Sequence, residues 1–229
     1  MLLKKLFNQN KSNVQLKKQA GFTILEIMFS TAIFMVVVGG LFSLLIVQND
    51  FLKISMGKCD ITGMAKKVIW SMVKEIRFSN VNNTQIFSAP IDEPGVTAVS
   101  SNGRSIVFQV PVDWDADDDY VDIYNCTEWG ADGGLNWSVE YCWDSTTNQV
   151  LRRIWDDSNT MVSQISVASD IALFSIDGYA YSSVSKKYII SSGYEIVEIS
   201  IEAQKDNVGG RTLASPLKLA LKNRVYFRN

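Results

Sequence analysis

From Gly21 to Val47 the chain reads GFTILEIMFSTAIFMVVVGGLFSLLIV, an apolar run with one ionisable residue, Glu26. As a helix rising ~1.5 Å per residue, Phe22–Val47 spans about 39 Å, enough to cross a hydrocarbon core of about 30 Å. Beyond it the pattern changes. Ile54, Ile61, Met64, Ala65, Val68, Met72 and Ile76 recur at three- and four-residue steps, one apolar helix face. Lys53, Lys58, Lys66, Lys67, Lys74 and Glu75 lie largely away from it. The spacing predicts one helix running to about Ser79-Asn80, its second half packed on a sheet. Gly39-Gly40 interrupts the apolar half, and each glycine weakens a helix by roughly 1 kcal/mol relative to Ala. The pair either lets the helix extend locally or supplies small packing residues.

After Asn82-Asn83-Thr84 and Pro90–Gly95, which read as loop, the period shortens to two. Ser105–Val110 is one predicted strand. Ser138–Trp143 and Gln149–Trp155 form a predicted hairpin across Asp144–Asn148. Ile171–Ile176 and Glu195–Ala203 are further strands, the last alternating Ile196, Val197, Ile199 and Ile201 with polar residues. Asp206–Arg211 reads as a turn containing glycine, and Leu213–Asn229 is an apolar, basic tail. The expected class is α+β, one long N-terminal helix laid on an antiparallel sheet.

The flanks orient the apolar run. Lys4, Lys5, Lys11, Lys17 and Lys18 precede it with no acid between Met1 and Gly21, so the positive-inside rule keeps this end in the cytoplasm and sends the rest across. In a secretory signal the small residues follow a shorter apolar core; here Ala20 and Gly21 come before it. A plain anchor explains neither Gly21 nor Glu26. A carboxylate well inside a membrane helix costs about 2.5–3.5 kcal/mol on insertion scales, so its presence asks for a function.

The segment Lys17-Lys18-Gln19-Ala20-Gly21-Phe22-Thr23-Ile24-Leu25-Glu26 resembles the class III signal of type IV prepilins and pseudopilins. The resemblance implies cleavage between Gly21 and Phe22 by a membrane aspartyl prepilin peptidase and N-methylation of Phe22. It implies an assembly role for Glu26, whose carboxylate would neutralise the new amine in the same chain or in an adjacent subunit. It divides the chain into a leader (1–21), a transmembrane and filament-core helix (22–47), an amphipathic half of that helix (48–79) and a periplasmic or extracellular β-rich domain (80–229). Farther on, an Asp-rich loop, Val139-Glu140-Tyr141, Val150-Leu151-Arg152-Arg153 and a terminal Arg228-Asn229 follow an order similar to that of PilW-like minor pilins. Pseudopilin J of type II secretion is the rival within the family. The expected partners are the prepilin peptidase, the inner membrane and, through the helix, other pilins and minor pilins.

Composition narrows the rest. Without the leader's five lysines, 17 basic residues stand against 24 acidic ones, a formal charge of −7. An acidic exported part argues against general nucleic-acid binding by a basic groove. Histidine is absent, which removes the commonest general base and metal ligand. No Gly-rich phosphate loop, HExxH or GxSxG is present, and no enzyme is expected. Cys126 and Cys142 either pair in an oxidising compartment or remain buried thiols, and Cys59 is left over on the helix. Asp113, Asp115 and Asp117 have the alternate spacing of calcium loops, with Asp119 and Asp122, or Glu140, to complete a shell. Asp118 and Tyr124 occupy the positions where an EF-hand has Gly and Glu, so the loop is either a different calcium site or a solvated acidic surface. Calcium is the one cofactor the sequence leaves open; a zinc site is poorly supported, because CxxC and histidine are both absent. Trp129, Trp137 and Trp143 either line an adhesive groove of a tip adhesin or belong to the core.

Overall fold

In a computed structural model of the chain, residues 21–113, 115, 119–121, 124, 126–208 and 211–227 are described. Residues divide into two units, 1–50 and 51–229. One helix, α1 (Ile24–Ile76, 53 residues), contributes to both. It passes unbroken through Gly39 and Gly40, around whose missing side chains no atom of the chain lies within 4 Å. In the first unit nearly every described side chain is exposed, Phe22 and Ile24 at 80%.

In the second unit the helix acquires a buried face of Gly57, Ile61, Ala65, Val68, Ile69, Met72 and Ile76. Ile61, Ala65, Val68, Met72 and Ile76 belong to the expected apolar stripe, whereas Met64 of that stripe is only partly buried. Ile69 was not expected to join it, and Ile54 is 36% exposed. The helix stops at Ile76 rather than near Ser79-Asn80. The N–H groups of Phe78 and Ser79 donate to the carbonyls of Glu75 and Ile76, three residues back, and the Ser79 hydroxyl donates to Ile76 O at 2.7 Å. Such tightened bonds satisfy the carbonyls a helix end leaves open.

Among the described residues, twelve strands form three antiparallel sheets. The first has β1 (Gln85–Phe87), β2 (Ser105–Phe108), β6 (Ser138–Asp144), β7 (Gln149–Trp155) and β8 (Met161–Ala168) in the order β1-β2-β6-β7-β8. The second, ordered β10-β9-β11-β12, has β9 (Ile171–Ser182), β10 (Lys187–Ile190), β11 (Ile196–Val208) and β12 (Arg211–Tyr226). A small third sheet joins β3 (Val110–Pro111), β4 (Trp129–Ala131) and β5 (Gly134–Leu135). The expected hairpin is β6–β7, closing at Asp144↔Gln149. The Asp144 carboxylate holds its turn, accepting from Thr146 N at 2.8 Å, Thr146 Oγ1 at 2.6 Å and Thr147 Oγ1 at 2.7 Å.

The first two sheets meet at Gly103, whose N–H donates to Ile176 O at 3.0 Å and whose carbonyl accepts from Ile176 N at 2.9 Å. A Cβ at this position would come within 2.1 Å of Ile86 Cγ2, so only glycine permits this approach. The helix face and the inward faces of the strands make one core, with Val68, Met72, Ile106, Phe108, Tyr141, Ile154, Phe174, Ile176 and Ile199 all buried.

Two polar ties fix the layers. The Arg152 guanidinium on β7 donates through Nε to both Glu75 oxygens at 3.1 Å, and through Nη1 and Nη2 to Asp132 at 3.1 and 3.0 Å. Burial raises the pKa of Glu75, and Arg152 opposes that rise. Beside it the Tyr141 hydroxyl donates to Ser71 Oγ at 3.2 Å; burial, then the charge of Glu75, push its pKa up to about 12. On the opposite face of the first sheet, Glu140 is fully buried. It accepts from Ser105 Oγ at 2.7 Å, Ile91 N at 2.9 Å and Trp155 Nε1 at 2.9 Å, with Arg153 Nη1 at 3.7 Å. Arg153 in turn bonds Asp92 at 2.7 Å.

Replacing Glu140 with Ala strands two buried donors and a partly buried one, and loss of one partner of a buried charged pair costs about 3–5 kcal/mol. We expect denaturant unfolding of the detergent-solubilised full chain to show a loss of that size, and a smaller loss for Glu140→Gln, which keeps an acceptor. A second expectation concerns acid. The hydroxyls of Thr146 and Thr147 hold the Asp144 carboxyl down to about 2, below its ordinary value of 3.8. A depressed carboxylate stabilises the fold above its unfolded pKa, and that stabilisation fades as pH falls from about 4 through about 2. Thermal melts across this window are expected to fall less steeply in Asp144→Asn than in the unchanged chain.

Candidate functional site

The start of α1 is built from four residues. Ile27 N donates to Thr23 O at 3.2 Å, which makes Thr23 the residue capping the helix. Thr23 Oγ1 accepts from Glu26 N at 3.3 Å, and Glu26 Oε2 reaches back to accept from Thr23 N at 3.0 Å and Thr23 Oγ1 at 3.2 Å. Thr23-Ile24-Leu25-Glu26 is therefore a reciprocal capping box. The pattern was present in the sequence as Thr-x-x-Glu ahead of an apolar run, and reading Glu26 only as an amine partner missed it.

The box changes the energetics of the carboxylate. Glu26 lies at the positive end of the helix dipole, which favours an anion by about 0.3–1 kcal/mol. It satisfies the Thr23 N–H, which would otherwise stand open in an apolar setting. No hydrogen bond reaches Oε1 among the described residues. Gly21 and Phe22 lie immediately before the cap, outside the helix, with Phe22 exposed. From Ile24 to Val47 no other charge appears. Thr31 inside this stretch turns its hydroxyl onto its own helix, donating to Ile27 O at 2.9 Å.

The residues just described coincide with the comparison that succeeds. Residues 16–42 match the family model described as the prokaryotic N-terminal methylation motif. The match covers that N-terminal stretch alone. No curated protein and no solved structure matches the chain. The motif, one helix long and apolar enough to cross a membrane, and antiparallel sheets packed on that helix together make a type IV pilin-like α+β fold.

The remaining expected site residues are not brought together. Cys126 and Cys142 are thiols, not a disulfide. Cys142 is buried on the Glu140 face of β6, while Cys126 is exposed with its sulfur 3.9 Å from Tyr124 O. A bridge would put both sulfurs in one environment. Burial, then the neighbouring charge of Glu140, push the Cys142 pKa well up, which keeps the unreactive thiol form. Cys59 is exposed on α1. In the Asp-rich loop, Asp117 and Asp122 lie outside the described residues, as do Arg228 and Asn229. Asp119 Oδ1 accepts from Val121 N at 2.7 Å, and Asp115 is exposed. Among the described residues no group of three His, Cys, Asp or Glu side chains is placed to hold a metal. Glu140 does not join this loop, because its oxygens are occupied across the sheet. Trp137 and Trp143 pack against the core, and Trp143 Nε1 donates to Ile171 O at 3.0 Å, so these two line no open groove.

Thr23→Val removes the cap oxygen while keeping the shape, a loss of about 1 kcal/mol. Amide hydrogen exchange of the full chain in detergent is expected to quicken about fivefold in the first turn of α1 and to remain unchanged in the turn around Met72.

Proposed function

We propose that this chain is a prepilin-type structural subunit, cut between Gly21 and Phe22 and assembled through α1 into a type IV pilus as a minor pilin that supports pilus biogenesis or adhesion. The observation that carries the proposal is the capped helix start, with Glu26 closing the first turn of a helix whose apolar half is exposed along nearly its whole length among the described residues. Before assembly the bilayer covers that half, with the lysine-rich end cytoplasmic. Afterwards the apolar halves of neighbouring subunits take its place. Cleavage replaces the peptide at Phe22 with an amine, and an isolated charge in an apolar medium is costly. The Glu26 oxygen left open by the capping box offsets that charge, within the chain or in a neighbour. The proposed machinery is the prepilin peptidase, the inner membrane and other pilins.

The order of motifs favours the minor-pilin role over a pseudopilin J-like subunit. Glu140, Arg152 and Arg153 of that order carry ties inside this fold, so the similarity extends to residues that hold the domain together. Loss of surface pili in a deletion strain supports the pilus role, while loss of exoprotein release assigns the chain to a secretion pseudopilus. Normal pili with failed attachment assign it to a tip adhesin.

Mass spectrometry of the mature protein is expected to place its N-terminus at Phe22, carrying one methyl group; a mature chain starting at Met1 or beyond Val47 refutes the proposal. Glu26→Gln keeps an acceptor for Thr23 but removes the charge. Its globular unit is expected to melt as before, while recovery in the filament fraction falls at least fivefold; recovery equal to the unchanged chain would refute charge pairing.

A further inference from the structure

Gln85, Val107, Glu140 and Arg153 stand opposite one another across β1, β2, β6 and β7, so their side chains share one face of the first sheet. Around Glu140 and Arg153 the loop 90–93 closes that face, with Ile91 N donating to Glu140 at 2.9 Å and Arg153 bonding Asp92 at 2.7 Å. Toward Gln85 and Ser138 the face opens into a cleft of about 410 Å³, within the roughly 300–1,000 Å³ of small-ligand sites. Its floor is apolar, made by Phe87, Ile91 and Val107, each partly buried. Asn83 and Gln85 stand at one wall, Asn136 at the base, and Asp157 and Asn159 at the other wall.

These walls are held through their backbone. Asn80 Oδ1 accepts from Asn82 N at 2.8 Å in the turn that carries Asn83. Gln109 Nε2 donates to Asn136 O at 3.0 Å. Asp156 Oδ1 accepts from Ser158 N at 2.9 Å and Thr160 N at 2.7 Å, which fixes the turn between β7 and β8. The side-chain amides of Asn83, Gln85, Asn136 and Asn159 bond no other group of the chain among the described residues. A rim fixed by its backbone, with its amides open, lowers the ordering cost of binding.

The chemistry of the cleft selects its ligand. No lysine or arginine lines it and two carboxylates do, so a phosphate, sulfate or carboxylate group is repelled. Each open amide offers a donor and an acceptor side by side. Neighbouring hydroxyls on a sugar ring return the same pair, and the ring's C–H face suits an apolar floor. A peptide added as a strand needs the main-chain groups at the edge of β1, and that edge is covered: Val99 N donates to Ile86 O at 2.9 Å and Phe87 bridges to Ala98.

We infer that this cleft binds a neutral oligosaccharide, its amides and Asp157 bonding sugar hydroxyls above the floor of Phe87 and Val107. Use of the cleft in surface attachment rests on the function proposed above; binding by the chain alone does not.

The test uses the full chain purified from its native membranes in a detergent without a sugar headgroup. A glycan microarray carrying neutral, sialylated and sulfated oligosaccharides is probed, with uncharged hexapeptides on the same slide, and the strongest ligand is then titrated by calorimetry. Binding is expected to be confined to neutral glycans. Gln85→Ala combined with Asp157→Ala, both at exposed positions, is expected to weaken it by about tenfold while leaving the melting temperature unchanged. Should that variant melt early, Asn83→Ala serves in its place. No glycan bound, binding of anionic glycans or of peptides only, or an affinity indifferent to the substitutions overturns the inference. The N-terminus is read by mass spectrometry in the same sample: an unprocessed chain that binds refutes the proposed function and leaves the cleft standing, and a processed chain that binds no neutral glycan overturns the cleft alone.

Discussion

One helix is asked to live in two solvents, and the rest of the structure depends on how it does so. From Ile24 to Val47, α1 presents large apolar side chains on every side. Each such side chain left in water forfeits about 1.5–3 kcal/mol, so exposure of the whole set would cost on the order of tens of kcal/mol, more than a domain's stability. No segment of the described chain covers them. The second part of the same helix has one apolar stripe and a lysine-rich back, and its stripe is the floor of the domain core. The change from all-round to one-sided apolarity therefore marks where the chain stops depending on surroundings it does not supply.

The same asymmetry explains where charge is tolerated. Glu26 stands in an apolar stretch of sequence and Glu140 in a buried core. Glu140 is satisfied entirely within its fold, by three hydrogen bonds and an arginine. Glu26 is satisfied only in part, by the residue that caps its own helix. A buried carboxylate that its own fold completes adds rigidity. One left with an unfilled oxygen at the end of an unpartnered helix is suited to meet something that arrives later.

The two helix halves and the β6–β7 hairpin were legible in the sequence because their signals are local. The apolar run, the three- and four-residue steps and the alternation flanking Asp144–Asn148 each reflect one element seen by one neighbour. β12 was hidden as an apolar, basic tail. Its alternation of Leu217, Leu219 and Leu221 with Lys218, Ala220 and Lys222 is clear, but Pro216 breaks the run, and only an edge position tolerates it. β8 was missed for the opposite reason: exposed on both faces over most of its length, it has no reason to alternate. At the N-terminus the residues of the site were readable and their geometry was not. Glu26 stood out by its cost, whereas its bonds to Thr23 depend on which residue begins the helix. The sequence left both pairing and free thiols open for Cys126 and Cys142, because sequence separation says nothing about which face of a strand a thiol occupies.

Arg152 and Arg153 show how one sequence step serves two layers. Adjacent strand residues point to opposite faces. Arg152 consequently reaches the helix at Glu75, and Arg153 reaches the far face at Asp92 and Glu140. The pair fastens β7 both to the helix at Glu75 and to the loop around Pro90–Glu93.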